Sequence, residues 1–297
     1  MFPRSSRFSR VPLLLLVLAL AAVLAFAACK DDEKKTGTTP STGQTPAAGE
    51  IDISNVPELA DSKMTIGSDI AYPPIEFLEE GTQNPVGLDI DLAKAIAEVL
   101  GVEVEFQQVA DFTGIVGDLK AKRYDIVMSA ISITPEREAE IDFVPYFAPV
   151  GTGILVQAGN PKGLTSFWSD LCGHAIAAQA GTYQVDQMEA ANAADCKDDP
   201  IDIRQFPDNP AAVLELSLGR VDAELADDPV AAYSALKSSG EIEVAATGFE
   251  AAPYGIGVRK DSPELKSVLE QALQAIRDDG TYGNILADWG QEAFAVD

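Results

Sequence analysis

Ala211-Ala-Val-Leu-Glu-Leu-Ser-Leu-Gly-Arg-Val-Asp-Ala-Glu-Leu-Ala-Asp-Asp-Pro-Val230 carries one full repeat of the pattern that sets the fold. Ala211 to Leu218 reads as a helix, Val221 to Ala226 as a strand, and Val230 opens the next helix. The acids Asp227 and Asp228 stand just past the strand. Upstream, strand Ala175 to Ala178 leads to a helix from Tyr183 and then to strand Ile201 to Ile203. Downstream comes strand Ile242 to Ala245. The first half of the chain repeats the theme. Thr65-Ile66-Gly67 is a short strand. Asp89 is placed to cap a helix with apolar face Leu92, Ile96, Val99 and Leu100 and with Gly101 as its stop. Val102 to Phe106 alternates as a strand does, Ile115 and Leu119 mark a helix, and Tyr124 to Met128 is a buried strand. Gly255 to Val258 is a last strand, and Ser262-Pro263 opens a final helix with Pro in its first turn. Repeated βα units predict an α/β fold with mostly parallel sheets. No internal sequence repeat is evident.

The amino-terminal segment has another character. Arg4, Arg7 and Arg10 precede an unbroken apolar run from Leu13 to Leu24, short for a membrane span and ending in small residues. This predicts a signal peptide over residues 1–28. Cys29 follows, then a stretch rich in Thr, Pro, Gly and Ser, which predicts a disordered tether over residues 29–60. Cleavage after Ala25-Phe26-Ala27 without lipid attachment is the competing reading. The chain has 21 basic and 47 acidic residues, a net charge of −26. Such a charge repels nucleic acid and excludes it as a partner. The remaining cysteines, Cys172 and Cys196, are an even pair in an exported domain, more often a disulfide than a metal site. His174 is the one histidine. It sits at the entry to a strand and reads as structural, which leaves no His-based catalytic triad. Neither a metal nor a cofactor is expected.

Ligands of α/β sheets sit outside the carboxyl ends of the strands, and the polar residues of this chain gather there. Ser68, Asp69 and Tyr72 follow the first strand. Ser129, Ser132 and Arg137 follow Tyr124 to Met128, Gly181 and Thr182 lead a helix, and Asp227 follows Val221 to Ala226. An Arg binds carboxylate bidentately, helix-start N–H groups bind the same anion, and Asp227 suits an ammonium. Together they describe a receptor for a zwitterion. Taken singly, each has a plainer reading: Tyr72 packs the Pro73-Pro74 turn, Phe112 belongs to the core, and Trp168 and Trp289 are packing residues. Gly151-Thr-Gly153 marks a hinge rather than a nucleotide loop.

Several motifs in order resemble those of family 3 extracellular solute-binding proteins, the polar-amino-acid receptors of ABC importers. Gly87-Leu-Asp-Ile-Asp-Leu-Ala93 resembles their first-lobe signature. Tyr124-Asp-Ile-Val-Met-Ser-Ala-Ile-Ser-Ile-Thr-Pro-Glu-Arg137 is similar to their carboxylate-binding segment, ahead of Ile141-Asp-Phe143 and Tyr146. Gln179-Ala-Gly-Thr182 and Gly219-Arg-Val-Asp-Ala223 with Asp227 match the second lobe, and Phe26-Ala-Ala-Cys29 resembles a lipobox. The resemblance implies a two-lobed type II periplasmic-binding-protein fold, each lobe a mostly parallel sheet flanked by helices, with two hinge segments. Lobe 1 is expected over residues 61–150 and 253–297, and lobe 2 over 151–252. It implies a monomer, lipid-anchored at Cys29 outside the cell membrane, that serves an ABC permease. It also implies a Cys172–Cys196 disulfide.

For the ligand, a free L-amino acid, the resemblance implies that Arg137 binds the α-carboxylate with Ser132 and Thr182, next to Tyr183. Asp227 and the Ser129 carbonyl take the α-ammonium, Tyr72 and Phe112 sandwich the side chain, and Asp69 reaches its far end. A buried Asp69 favours a donor or a positive charge, which ranks arginine, lysine, histidine and glutamine above the aliphatics. Ala130 stands where the lysine/arginine/ornithine and histidine receptors carry Ser, which weakens the basic case. Two other functions fit the scaffold: a cyclohexadienyl dehydratase acting on arogenate or prephenate, with Asp69 or Glu76 as its acid, and the sensing domain of a receptor.

Overall fold

The computed structural model describes residues 51–296. The signal peptide, the lipid attachment at Cys29 and the tether as far as residue 50 lie outside them. The last ten residues of the expected tether, 51–60, are packed onto the body. Ile51, Val56 and Leu59 are buried in its core, and Glu58 accepts from Arg259 Nη2 at 2.7 Å and from the Ser262 hydroxyl. Ile51, Ile53, Val56 and Leu59, scattered through a polar, Pro-containing stretch, match neither the helical nor the strand template, which is why the segment passes for linker.

The first elements are β1 (Lys63–Ser68), β2 (Ala71–Tyr72), β3 (Glu76–Leu78), β4 (Pro85–Val86), α1 (Leu88–Leu100) and β5 (Glu103–Gln108). There follow α2 (Ile115–Lys120), β6 (Ile126–Val127), α3 (Pro135–Glu140) and a long β7 (Asp142–Gln157). The middle comprises β8 (Ala175–Gln179), α4 (Tyr183–Ala193), β9 (Asp202–Phe206), α5 (Asn209–Ser217), β10 (Ala223–Asp227) and α6 (Asp228–Lys237). A second long strand, β11 (Ile242–Val258), leads to α7 (Pro263–Asp278) and α8 (Thr281–Asp288).

Eight strands hydrogen-bond in the order β5-β1-β6-β11-β7-β10-β8-β9, and β2-β3-β4 form a small antiparallel sheet. β1 is parallel to β5 and β6, and β8 is parallel to β9 and β10. Between these two parallel groups run β7 and β11, antiparallel to each other from Asp142/Val258 to Gln157/Ile242. β11 pairs with β6 of the first group and β7 with β10 of the second, so this pair is the connection between the two lobes. Ile242 to Ala245 and Gly255 to Val258, expected as separate strands, are the two ends of β11. The register shifts between Val244 and Gly255 explain the mistake: bulges break the strand pattern at Gly248, Glu250 and Pro253 without breaking the strand.

The core divides in the same way. Two apolar clusters draw mainly on residues before Val150 and after Ala252, and two on residues between Ile154 and Ala246. α1 ends on Gly101, whose φ of +69° is a left-handed conformation that Gly adopts without penalty. α7 buries Leu265, Val268, Leu269, Ala272, Leu273 and Ile276, a stripe at helical spacing. In the second lobe Cys172 and Cys196 form a disulfide, 24 residues apart.

One local expectation is corrected. Asp89 does not cap α1: the N-cap is Gly87, and no side chain accepts from the first turn there. Asp89 lies inside the helix and turns towards the segment after β6, where the Ala130 N–H donates to its Oδ2 at 2.9 Å and the Tyr146 hydroxyl donates at 2.7 and 2.8 Å.

Candidate functional site

Where the ends of β1, β6, β8 and β10 meet, the two lobes enclose a narrow cavity of about 20 Å³. Asp69, Tyr72, Phe112, Ser129, Ala130, Ser132, Arg137, Thr182, Tyr183 and Asp227 all line it, together with Glu76, Gln179 and Gln184. All ten residues singled out from the sequence therefore border one space, although up to 158 positions separate them (Asp69 to Asp227).

Local rules place the cation. Thr134 caps α3, its Oγ1 accepting from the Arg137 N–H at 3.3 Å, with Pro135 in the first turn. Arg137 is thereby held over the cavity. As a residue it is half-buried, but its guanidinium is turned inward. Nη1 donates to the Ser132 carbonyl at 2.8 Å, Nη2 donates to the Gly181 carbonyl at 3.0 Å, and Cζ lies 5.8 Å from the Phe112 ring centre. Burial lowers its pKa. Among the described residues no carboxylate forms an ion pair with it. A guanidinium has five N–H donors, and two carbonyls leave several unused. α4 begins beside it. No side chain caps α4, because the Thr182 hydroxyl donates back to the Gln179 carbonyl at 2.8 Å. The first N–H groups of an uncapped helix have no intrahelical acceptor and favour an anion.

Across the cavity stands Asp227, at the end of β10. The Tyr72 hydroxyl donates to its Oδ2 at 3.0 Å and Gln184 Nε2 donates to its Oδ1 at 2.8 Å. Burial pushes its carboxyl up to about 6, against the pull of those donors. Glu224, three residues earlier, is fully buried, accepts from Asn209 Nδ2 at 2.8 Å and is pushed by burial to about 8.

Asp69 has both oxygens engaged: Gln108 Nε2 donates to Oδ1 at 2.8 Å and Gln179 Nε2 to Oδ2 at 2.5 Å. Burial raises its pKa and the two carboxamides oppose the rise. Gln179 belongs to the second lobe, so this contact ties the lobes together, as do Tyr72 with Asp227 and Arg137 with Gly181. The Ser129 hydroxyl is spent beneath the cavity, accepting from the Asp69 N–H at 2.9 Å and donating to Glu76 Oε1 at 2.8 Å. Ala130 has a φ of +45°, a strained value for a residue with a Cβ, and the Asp89 carboxylate holds its N–H there.

Gln179 and Gln184 were not marked by the sequence pattern as site residues. A carboxamide near a strand end or helix start looks like ordinary surface, and the available signal was position: Gln179 ends β8 and Gln184 lies in the first turn of α4. Among the described residues no group of three or more His, Cys, Asp or Glu is placed to hold a metal ion, and no helix is long and apolar enough to cross a membrane.

Residues 64–292 match the bacterial extracellular solute-binding proteins, family 3. The arginine-binding protein ArgT of Corynebacterium glutamicum is 32% identical over 238 residues, spanning 79% of this chain and 76% of that protein. The solved structure of an ancestral arginine-binding protein bound to glutamine is 36% identical, with a TM-score of 0.70 over 78% of this chain and 99% of its own. AncCDT-1, an ancestral amino acid-binding protein and a precursor of cyclohexadienyl dehydratase, is 34% identical, with a TM-score of 0.70 over 78% of this chain and 97% of its own.

Proposed function

Because the chain belongs to family 3 of the bacterial extracellular solute-binding proteins, we propose that it is an extracytoplasmic receptor that binds a polar or basic L-amino acid between its lobes and delivers it to an ABC importer. The observation that carries this reading is Arg137, an inward-turned guanidinium with carbonyl partners only. A desolvated cation calls for an anion, and the α-carboxylate is the anion common to amino acids. In this reading Arg137 and the first turn of α4, with Ser132 and Thr182, hold that carboxylate. Asp227 holds the α-ammonium, Tyr72 and Phe112 flank the side chain, and Asp69 lines the far end with Gln108 and Gln179. The relatives named for arginine, and the ancestral protein bound to glutamine, support a basic or amide ligand.

The protein works as a monomer, lipid-anchored at Cys29 outside the cell membrane, with an ABC permease as its partner. Lobe 1 comprises the chain up to Val150 and again from Pro253, and lobe 2 the residues between. The ligand is bound and released without chemical change. Incubation with arogenate should therefore yield no phenylalanine, and its formation would install the dehydratase reading instead. A thermal-shift screen against the common L-amino acids tests the main proposal. A ligand at a hundred times its Kd adds about 2.7 kcal/mol of stability. A screen in which no amino acid raises Tm refutes it.

A further inference from the structure

The residue pattern does not mark Glu76 as a ligand contact, yet Glu76 lines the cavity and is 1% exposed. Its Oε1 accepts from the Ser129 hydroxyl, while its Oε2 is buried with no donor facing it. Asp89, also 1% exposed, is its neighbour: the Asp89 N–H donates to the Ile75 carbonyl at 2.9 Å, and the adjacent residues Ser129 and Ala130 donate to Glu76 and Asp89 respectively. Asp89 already accepts from Tyr146 and from the Ala130 N–H. Among the described residues neither acid is ion-paired with a Lys or Arg. Two adjoining buried carboxyls with no cation cannot both ionise at low cost. Oε2 needs either a proton of its own, which makes it a donor beside the Asp89 carboxylate, or a donor brought into the cavity.

The charged groups around Glu76 reinforce this. Asp69 at the end of β1 and Asp227 at the end of β10 face it, as Asp89 does from α1, and Tyr146 on β7 closes the far side of Asp89. Arg137 is the one basic side chain lining the cavity. Burial holds Glu76 well above the usual carboxyl range, with Asp89 adding to the effect, and burial raises Asp89 to about 7. The wall around Glu76 is thus short of one positive charge.

We propose that Glu76 and Asp89 share a proton in the cavity wall, and that the cationic side chain of a basic amino acid displaces it. The guanidinium or ammonium group lies against the Glu76 carboxylate, and the proton leaves to solvent. A neutral ligand leaves the proton in place, so Glu76 sets the response to ligand charge. This inference rests on the reading of the cleft as an amino-acid site.

Calorimetry at pH 7.5, in two buffers of different ionisation enthalpy, counts the protons. L-Arginine should release up to about one proton on binding, whereas L-citrulline (its neutral isostere) and L-glutamine should release none. The arginine affinity relative to citrulline should rise with pH, by up to about tenfold per unit, since the complex holds fewer protons. The comparison cancels Asp227, which serves both ligands alike. Glu76→Gln should abolish both the release and the slope, and the wild-type pH profile decides the matter if that variant does not fold. Equal proton counts for arginine and citrulline overturn the inference, as does glutamine binding without arginine binding. If none of the three binds, the amino-acid reading falls and takes this one with it.

Discussion

Replacing Arg137 by Ala separates binding from folding in this protein. In the folded chain the guanidinium donates to two carbonyls, at Ser132 and Gly181, and has no carboxylate partner among the described residues. Its removal deletes two charge-assisted bonds worth about 1.5–3 kcal/mol each. It also relieves the desolvation of a cation left without a counter-ion, a cost of similar order. The Tm of the ligand-free protein should therefore move little. In the proposed complex the guanidinium faces the ligand carboxylate, and truncating one side of such a pair costs about 2–5 kcal/mol, roughly thirty- to several-thousand-fold in affinity. Since every amino acid presents that carboxylate, the loss should be the same for arginine and glutamine. Titration calorimetry gives the affinity, and melting curves with and without ligand give the stability. Near-wild-type affinity in the Ala variant, or a loss confined to one side chain, refutes the reasoning.

Four further outcomes follow from the same geometry. Asp69→Asn turns a donor towards Gln108 or Gln179 and loosens the contact between lobes, so calorimetry should show arginine and glutamine affinities falling together; a loss for arginine alone would mean that Asp69 reads charge. At Gly181, with φ +75°, an added Cβ would meet Thr113 Cα of the other lobe at 2.8 Å. Gly181→Ala should weaken binding about tenfold or more, since overpacking of this kind costs about 1–3 kcal/mol, and unchanged affinity would show that the lobes need not approach this closely. Reduction of Cys172–Cys196 should cost roughly 3 kcal/mol in the chain-entropy model, read as a lower denaturant midpoint; two free thiols in the untreated protein by mass spectrometry would contradict the bond. Asp227, Asp89 and Glu224, raised to about 6, 7 and 8, hold more protons folded than unfolded, where carboxyls titrate near 4. Stability of the ligand-free protein should therefore decline from about pH 4 to about pH 8, and a Tm that rises over this interval would refute it.

The parts of the fold legible in the sequence are those built by local rules. β8, β10 and the helices after them stand within two residues of their expected positions, because buried β-rich runs and helix starts announce themselves. The crossing strands do not. β7 contains Pro145, Pro149, Gly151 and Gly153, each a breaker by local propensity, and it persists because β11 pairs with it along its whole length. At the site, Arg137 and Asp227 are legible because a cation, hydroxyls and a carboxylate all follow strand candidates, a joint placement that none of them carries alone. Glu76 is not, because its meaning comes from Asp89, a residue that reads as a helix cap until the fold turns it towards Ala130. The amides Gln108, Gln179 and Gln184 acquire roles only through partners far away in sequence.

The packing of Ile51 to Leu59, closed by Glu58 with Arg259 and Ser262, has a mechanical side. All of these contacts belong to the first lobe, so any pull arriving from upstream of Ile51 is borne by that lobe alone. In the proposed anchored receptor the first lobe would be the stator and the second the rotor, carried on two strands. If the chain is anchored at Cys29 and closes on its ligand, as proposed, the unattached half is the one that moves, and an observer fixed at the point of attachment would read occupancy from where that half stands.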